Sequence, residues 1–441
     1  MSDPHTKCVR YAVVVVATAM LACGGDDNNN NARPDSGTTN DAGLDAPVGD
    51  SGLHDGTVSD APAADGAMEA SSDGGTSSDA ATDSGNRDAG SDAGSSDARA
   101  DGPADAGVAF DSGLAVLPGY TVSLFATGGT QYTQPDSIEF DGTSHIWVGY
   151  QMGVLTTDGT DAGPPYYSKV VQYNLDGTLT GKEFDVPGHC DGVRVDPDTG
   201  LVWATSNEDG NAVLMSFDPK ADASTATTMY PVGALPHGGG LDDLAFVNHQ
   251  MFVVDSAPVA MIDANVYSGP AISQVTISGS TATFTPIVYD NSTALIGLAG
   301  DAGSMTLNVQ DPDSLTTYGN GNLLLVDQQG SELLFITNPG AGLDGGVDGG
   351  TQTVSVVQMA PALSLDDTVF ASTATGRLLV ADGVTDTIYW VSSAFTPGTL
   401  YTETPHDSSV PGTVAVVNLD TGAIQPVLSG MKNPTGMIFV K

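Results

Sequence analysis

The sequence predicts an all-β protein, a six-bladed β-propeller that follows a long acidic tether. Three observations support this fold class. After Gly119, short β-branched and aromatic runs alternate with Gly, Asp, Asn and Pro clusters, and no 3.6-residue apolar period is sustained. The segment after the tether, about 330 residues, is too long for a simple sandwich. A degenerate repeat divides this segment into intervals that suit one four-stranded blade each.

The first 22 residues have the order of a bacterial signal peptide. Lys7 and Arg10 precede an apolar stretch of 12 residues, 11–22, which is too short to span a bilayer. The stretch ends in Met-Leu-Ala followed by Cys23, which resembles the lipobox of bacterial lipoproteins, with Met where Leu is usual. The resemblance implies that Cys23 carries a membrane anchor and that the protein lies in the cell envelope, at the outer membrane or cell surface of a Gram-negative bacterium. The alternative is an ordinary secretory signal that happens to contain a cysteine.

Residues 23–112 consist mainly of Asp, Gly, Ala, Ser and Asn, with few large apolar side chains. Such a segment cannot bury enough surface to offset the entropy of ordering, so we expect a disordered tether. Its Asp-Gly repeats are similar to those of calcium-binding repeat proteins but lack the alternating large apolar residue of a β-roll. Residues 113–441 then form the propeller domain.

The formal net charge is −42, from 12 basic and 54 acidic residues. A chain of this charge repels phosphate backbones, which excludes nucleic acid as a partner. A metal ion, a cationic ligand or a neutral ligand fits this charge better.

The repeat reads Asp-x-apolar-x-apolar, a short turn, and a second apolar run. Its leading positions lie 51 to 71 residues apart. In the fifth copy the second run is residues 378–380, and the sixth copy begins at Pro434 and meets the C-terminus. We therefore expect a thin last blade that residues 114–117 and 120–125 complete, because pairing both termini removes the exposed sheet edges. Five or seven blades are the alternatives.

Residues 135–148 read Pro-Asp-x-apolar-x-Phe-Asp-Gly and then apolar-Trp-Val, which is similar to NHL-type and SMP-30 (gluconolactonase)-like propellers. This resemblance implies a scaffold shared by hydrolases, lyases and binding proteins, with a divalent ion on the axis. The Glu-Gly-Pro entry of the SMP-30-like enzymes is absent, and Asp136 stands in its place. No catalytic residue is therefore carried over from the resemblance.

The repeat places a carboxylate at the entry to the innermost strand in five of six copies, and Thr435 in the sixth. These candidate metal ligands are Asp136, Asp191, Asp242, Asp313 and Asp366. Oxygen donors in a ring are what Ca²⁺ requires, so the sequence suggests an axial calcium site. The alternative is that each aspartate only caps its own turn.

Two further sets of residues lie on the same predicted face. The loops that leave the second strands contribute candidate ligand-binding residues, Asn207 and Glu208 in blade two and Asp255, Asp327 and Asp382 in blades three to five. Histidines in two entry loops, His189 and His237, are candidate general bases.

Long insertions on this face carry aromatic side chains, which suggests a surface for a small molecule, a glycan or a protein partner. These side chains are Tyr166, Tyr167, Tyr267, Tyr389, Trp390, Phe395 and Tyr401.

The sequence therefore favours a surface-tethered binding or interaction propeller with an axial Ca²⁺. The alternative is a divalent-metal-dependent hydrolase of lactones or esters at the channel mouth. An oxidoreductase is a third possibility, without a residue pattern that points to a redox cofactor.

Overall fold

The computed structural model describes residues 113–153, 167–222, 225–258, 266–343, 350–405 and 411–441. The predicted signal peptide, Cys23 and the predicted tether lie outside these residues. The described residues form 27 β-strands in six sheets. No helix among the described residues is long and apolar enough to cross a membrane.

Two strands precede the first complete sheet, and three four-stranded antiparallel sheets follow them in chain order. The two strands are β1 (Ala115–Val116) and β2 (Thr121–Thr127). Blade one contains β3 (Pro135–Phe140), β4 (His145–Tyr150), β5 (Tyr167–Asn174) and β6 (Leu179–Pro187). Blade two contains β7 (Cys190–Val195), β8 (Val202–Ser206), β9 (Val213–Phe217) and β10 (Thr227–Tyr230). Blade three contains β11 (Leu241–Val247), β12 (Gln250–Asp255), β13 (Pro270–Ser278) and β14 (Thr281–Tyr289).

The fourth sheet has six strands, because a short hairpin adds to its outer edge. The hairpin is β15 (Thr293–Ile296) and β16 (Ser304–Thr306), and β15 pairs in parallel with the outermost strand of the meander. That meander contains β17 (Pro312–Tyr318), β18 (Asn322–Asp327), β19 (Glu332–Thr337) and β20 (Thr353–Gln358).

The last two blades exchange strands. The remaining strands are β21 (Thr368–Phe370), β22 (Arg377–Asp382), β23 (Thr387–Ser392), β24 (Leu400–Thr404), β25 (Gly412–Asn418), β26 (Ala423–Met431) and β27 (Pro434–Val440). Blade five runs β21-β24-β25-β26-β1, and blade six runs β27-β22-β23-β2. The chain thus enters blade five with β21, crosses to blade six for β22 and β23, returns for β24 to β26, and ends as β27.

This exchange corrects three predictions. Residues 378–380 lie in β22, whose partner is β27 rather than β21. Residues 114–117 contribute β1 to blade five, where it pairs with β26. The last blade is a full four-stranded sheet, not a thin one, and β2 is its outer strand as predicted. Repeat spacing alone does not reveal the exchange, because the six residues between β21 and β22 can reach either neighbouring sheet.

Six innermost strands, one from each sheet, contact one another in a closed ring. The order around the ring is β3, β7, β11, β17, β21 and β27, and β27 contacts β3. At that closure a Cβ on Gly436 would lie 1.6 Å from the carbonyl oxygen of Asp136, so only glycine permits the approach. The six-bladed propeller predicted from the repeat is confirmed.

Six apolar clusters fill the six gaps between neighbouring blades. Successive residues of a second strand face opposite gaps. In β4, Ile146 and Val148 pack toward blade six, and Trp147 packs toward blade two. The second strands are therefore apolar on both faces and read as unbroken apolar runs in the sequence. Full burial of each such side chain contributes about 1.5–3 kcal/mol.

Candidate functional site

The five predicted ring aspartates meet at one end of the propeller axis. Each lies at the entry of an innermost strand, and together with Thr435 they line a cavity of about 250 Å³. Ten of the sixteen lining residues are acidic, and none is Lys, Arg or His. The lining residues are Asp136, Ser137, Gln151, Asp191, Glu208, Asp209, Asp242, Asp243, Asp311, Asp313, Ser314, Gln328, Gln329, Asp366, Asp367 and Thr435. We call this the axial cavity.

Backbone bulges coincide with the ring positions. In blade one the pairing register shifts between Pro135 and Ile138, so Asp136 lies in an irregular step opposite β4. The equivalent shift occurs at the ring residue in blades two, three, four and six. A bulge bends the strand and re-aims a side chain. The bulges thereby place Asp136, Asp191, Asp242 and Asp313 at the axis rather than in the gaps between blades, where the apolar residues pack.

In blades one, three and five, the side chain that follows the ring position ties one innermost strand to the next. The backbone N–H of Val193 donates to Ser137 Oγ at 2.9 Å, and that of Leu315 donates to Asp243 Oδ2 at 2.9 Å. The N–H of Met437 donates to Asp367 Oδ2 at 2.8 Å. The site predictions did not include Asp243 or Asp367, although each follows a ring aspartate directly in the sequence.

Arg194 lies between the axial cavity and a second cavity of about 230 Å³ further along the axis. Its guanidinium forms an ion pair with Asp243 and donates to Ser137 Oγ at 3.1 Å. Within the described residues, Arg194 therefore supplies a positive charge beneath the carboxylates. The guanidinium pairs with Asp243, and it makes no described hydrogen bond to a ring aspartate.

Most of the predicted exit-loop residues are turn residues instead. Asp327 accepts hydrogen bonds from the backbone N–H groups of Asp311 and Gly330, both at 3.0 Å. Asp382, which belongs to blade six, accepts from the N–H groups of Lys432 and Asn433 at 2.8 and 3.0 Å. Neither carboxylate lines the axial cavity.

The other exit-loop residues divide in the same way. Asn207 Oδ1 accepts from the backbone N–H of His189 at 3.0 Å, and Asp255 Oδ2 accepts from the hydroxyl of Ser273 at 2.5 Å. Of the five predicted exit-loop residues, only Glu208 lines the axial cavity. The other four exit-loop residues are occupied by hydrogen bonds to backbone or hydroxyl groups. Among the ring aspartates, Asp366 Oδ1 likewise accepts the backbone N–H of Asp367 at 2.9 Å.

The two predicted histidines have different surroundings. His189 Nδ1 lies 2.5 Å from Asp191 Oδ1, so it contacts the ring directly. His237 lies outside the axial cavity: its Nε2 donates to the carbonyl oxygen of Gly240 at 3.0 Å, and its Nδ1 is 3.9 Å from Asp255 Oδ1. Burial lowers the pKa of His237. The prediction that both histidines lie near the ring is wrong for His237.

Most of the predicted aromatic surface is interior. Tyr389, Trp390, Phe395 and Tyr401 are each at most 6% exposed and pack in the gaps on either side of blade six. They lie in or beside strands that the exchange places between neighbouring blades. Tyr167 is 41% exposed, and Tyr267 is half-buried. Tyr166 lies outside the described residues.

Two groups of side chains in and beside the axial cavity have the spacing of metal ligands. One consists of His189, Asp191 and Glu208, and the other of Glu208, Asp242 and Asp313. Within each group, one donor atom per residue lies within 4.8 Å of the others.

Several carboxylate oxygens at the axis have no hydrogen-bond partner. They are Oδ2 of Asp191, Asp242 and Asp313, all buried. Burial, and then the charge of neighbouring carboxylates, holds the pKa of Asp242 and of Asp313 well above the usual range. The same two causes raise the pKa of Asp366 to about 8. Without a counter-ion, the ring at neutral pH must therefore keep some of its protons.

No protein-family model and no curated protein matches the chain. Among solved structures, a streptogramin B lyase is 14% identical over 72% of this chain and 90% of its own, with a TM-score of 0.39. A putative gluconolactonase is 11% identical over 73% and 85%, with a TM-score of 0.39. Virginiamycin B lyase from Staphylococcus aureus is 12% identical over 69% and 87%, with a TM-score of 0.36. At this similarity the function must be argued from the axial cavity itself.

The raised pKa of Asp366 predicts that the metal-free protein loses stability as pH rises. A group with a folded-state pKa of about 8 and an ordinary value near 4 binds its proton more tightly in the folded state, so its stabilising effect is lost between about pH 4 and pH 8. We expect the thermal midpoint in chelator to fall from pH 5 to pH 8, and to fall less in Asp366→Asn. The exposed Asp420→Asn is the matched control. A midpoint that rises over this range would contradict the prediction.

Proposed function

We propose that this protein is a cation-binding β-propeller whose axial cavity holds Ca²⁺. The observation that carries the proposal is the convergence of buried, unpartnered carboxylate oxygens from Asp191, Asp242 and Asp313. Native proteins rarely leave such groups unpaired, because a buried polar atom without a partner is costly. Because no basic side chain lines the cavity, a cation is the partner that its chemistry requires.

The donor atoms suit calcium. Glu208, Asp242 and Asp313 offer only carboxylate oxygens, which are hard ligands. Ca²⁺ takes six to eight oxygens, and at about 30 Å³ per water the cavity of about 250 Å³ also has room for water ligands. Gln328 and Gln329 also line the cavity, and amide oxygens are hard ligands of the same kind. These residues therefore fit the ion.

Calcium titration calorimetry on the full chain tests this proposal. We expect a calcium-binding event whose affinity falls at least tenfold in Asp242→Asn, because that substitution removes one charged ligand and keeps the side-chain volume. In Asp420→Asn, which removes the same charge from an exposed turn, the affinity should be unchanged. Equal calcium affinity in all three proteins would show that the axial cavity is not the site.

The charge of the axial cavity also restricts which ligands can bind at this end of the propeller. With its carboxylates charged, the cavity repels anions and accepts neutral or cationic groups. A small molecule, a glycan or a protein partner at this face remains part of the proposal. The axial cavity supports it, whereas most of the predicted aromatic side chains are interior.

Export and attachment to the membrane through Cys23 complete the proposed function, with the protein held at the cell envelope. The support is the order of signal, lipobox-like motif and acidic segment in the sequence. Expressed in a Gram-negative bacterium with labelled palmitate, the chain should incorporate the label and sediment with membranes. Both properties should be lost in Cys23→Ser. Labelling that persists in Cys23→Ser would refute the anchor.

The contact between His189 and Asp191 favours a second candidate, a metal-dependent hydrolase of esters or lactones. A divalent ion would polarise the substrate carbonyl. With Nδ1–H of a neutral His189 donating a hydrogen bond to Asp191 Oδ1, Nε2 is the ring nitrogen that could take a proton from water. This arrangement is that of a histidine general base held in one tautomer by a carboxylate.

A panel of aryl esters and lactones tests this candidate. If one is hydrolysed, kcat/KM should fall about 10²- to 10⁴-fold in His189→Gln, the range typical for loss of a general base. The control is His249→Gln, since His249 has a side chain that is 79% exposed. Hydrolysis that is equally fast in both variants would remove His189 from the mechanism.

A further inference from the structure

The two groups of metal ligands share one residue. Glu208 belongs both to the group with His189 and Asp191 and to the group with Asp242 and Asp313. A carboxylate has two oxygens, so one glutamate can contribute a donor atom to each of two ions. Shared carboxylates of this kind are how proteins hold two cations close together.

The fold fixes Glu208 where the two groups meet. Its carbonyl oxygen accepts a hydrogen bond from the backbone N–H of Gly240 at 2.6 Å, on the entry loop of blade three. The preceding residue, Asn207, has a φ of 65°, in the left-handed region. The side chain of Asn207 holds the His189 backbone, as described above. Glu208 is thus attached both to the loop that carries His189 and to the loop that leads to Asp242.

Each group includes a buried aspartate with a carboxylate oxygen that lacks a hydrogen-bond partner. Asp191 is 7% exposed and Asp242 is 5% exposed, and Oδ2 of each has no hydrogen-bond partner. One of these oxygens belongs to each group. A single ion bound by Glu208, Asp242 and Asp313 would leave Asp191 Oδ2 without a partner, since His189 Nδ1 contacts Oδ1.

The charge of the ligands also indicates two divalent cations. The four carboxylates of the two groups carry four negative charges when ionised, and one divalent cation offsets two of them. Asp136 and Asp366 also line the cavity, and Arg194 is paired with Asp243. Two divalent cations match the four ligand carboxylates.

We propose that the axial cavity holds two divalent cations bridged by Glu208, one bound by oxygen atoms alone and the other bound also by His189. This inference rests on the proposed cation-binding function and specifies its ligands. The all-oxygen position, with Asp242 and Asp313, suits Ca²⁺. The position with imidazole suits a borderline metal such as Zn²⁺. Mn²⁺, a hard ion that accepts carboxylate oxygens and also imidazole, can occupy either position. Here His189 is a ligand and not a base, so the inference belongs to the binding function and not to the hydrolase candidate.

Equilibrium dialysis of the full chain against Mn²⁺, with metal analysis, tests the count. We expect two tightly bound ions per chain, and one after His189→Gln or after Asp313→Asn. Glu208→Gln should weaken both positions at least tenfold, which distinguishes a bridge from a ligand of one ion. His249→Gln and Asp420→Asn are the matched controls and should keep two.

Electron paramagnetic resonance of the Mn²⁺-loaded protein provides a readout that does not depend on the folding of Glu208→Gln. Two bridged Mn²⁺ ions should give a broad, exchange-coupled signal, and Asp313→Asn should give the six-line signal of an isolated ion. One tightly bound ion in the unsubstituted protein, or loss of only one ion in Glu208→Gln, would overturn the bridge and leave the proposed function standing. Absence of tight binding of either Mn²⁺ or Ca²⁺ would overturn both.

Discussion

Repulsion among carboxylates on one axis is the constraint on which the rest of this structure depends. Six innermost strands converge so closely that a methyl group on Gly436 would collide with the neighbouring strand, and five of them bring an aspartate to the same opening. Like charges at such distances, in a partly dry cavity, cannot all ionise unless a cation or a proton accompanies them. Burial first, and then this repulsion, raises the pKa values of Asp242, Asp313 and Asp366.

Contacts next to the ring and between the blades hold the innermost strands together against this repulsion. Ser137, Asp243 and Asp367 each bind a backbone N–H of the next innermost strand, and Arg194 adds a charge under the ring. Further from the axis, six apolar clusters hold neighbouring blades together. Because of the strand exchange, blades five and six combine β1 and β2 from the start of the domain, β21 to β26, and the last strand, β27. The ring can therefore keep three buried carboxylate oxygens without hydrogen-bond partners, because the surrounding structure fixes its position.

The sequence predicts the blade number and the ring because both follow from a local pattern repeated at each blade. The aspartate, the bulge and the apolar run recur within a few residues, so Asp136 to Asp366 could be placed together without a structure. The strand exchange could not be predicted, since β21 and β22 are separated by a loop that fits either neighbour. The roles of Asp327 and Asp382 were also beyond reach, because an aspartate that caps a turn and one that faces a cavity have the same sequence context. Likewise, His237 is separated from the ring by the course of a glycine-rich loop, residues 238–240, whose path the sequence does not specify.

The central claim is that the axial carboxylates require a cation, and the thermal midpoint of the full chain at pH 8 tests it most directly. At this pH the ring carboxylates hold fewer protons than at neutral pH, so a cation competes with protons for them more effectively. With free Ca²⁺ at 100 times its dissociation constant, the native state should gain about 2.7 kcal/mol over the protein in chelator, and the midpoint should rise by several degrees. Identical midpoints in 10 mM Ca²⁺ and in chelator would contradict the account and leave the aspartates as structural residues.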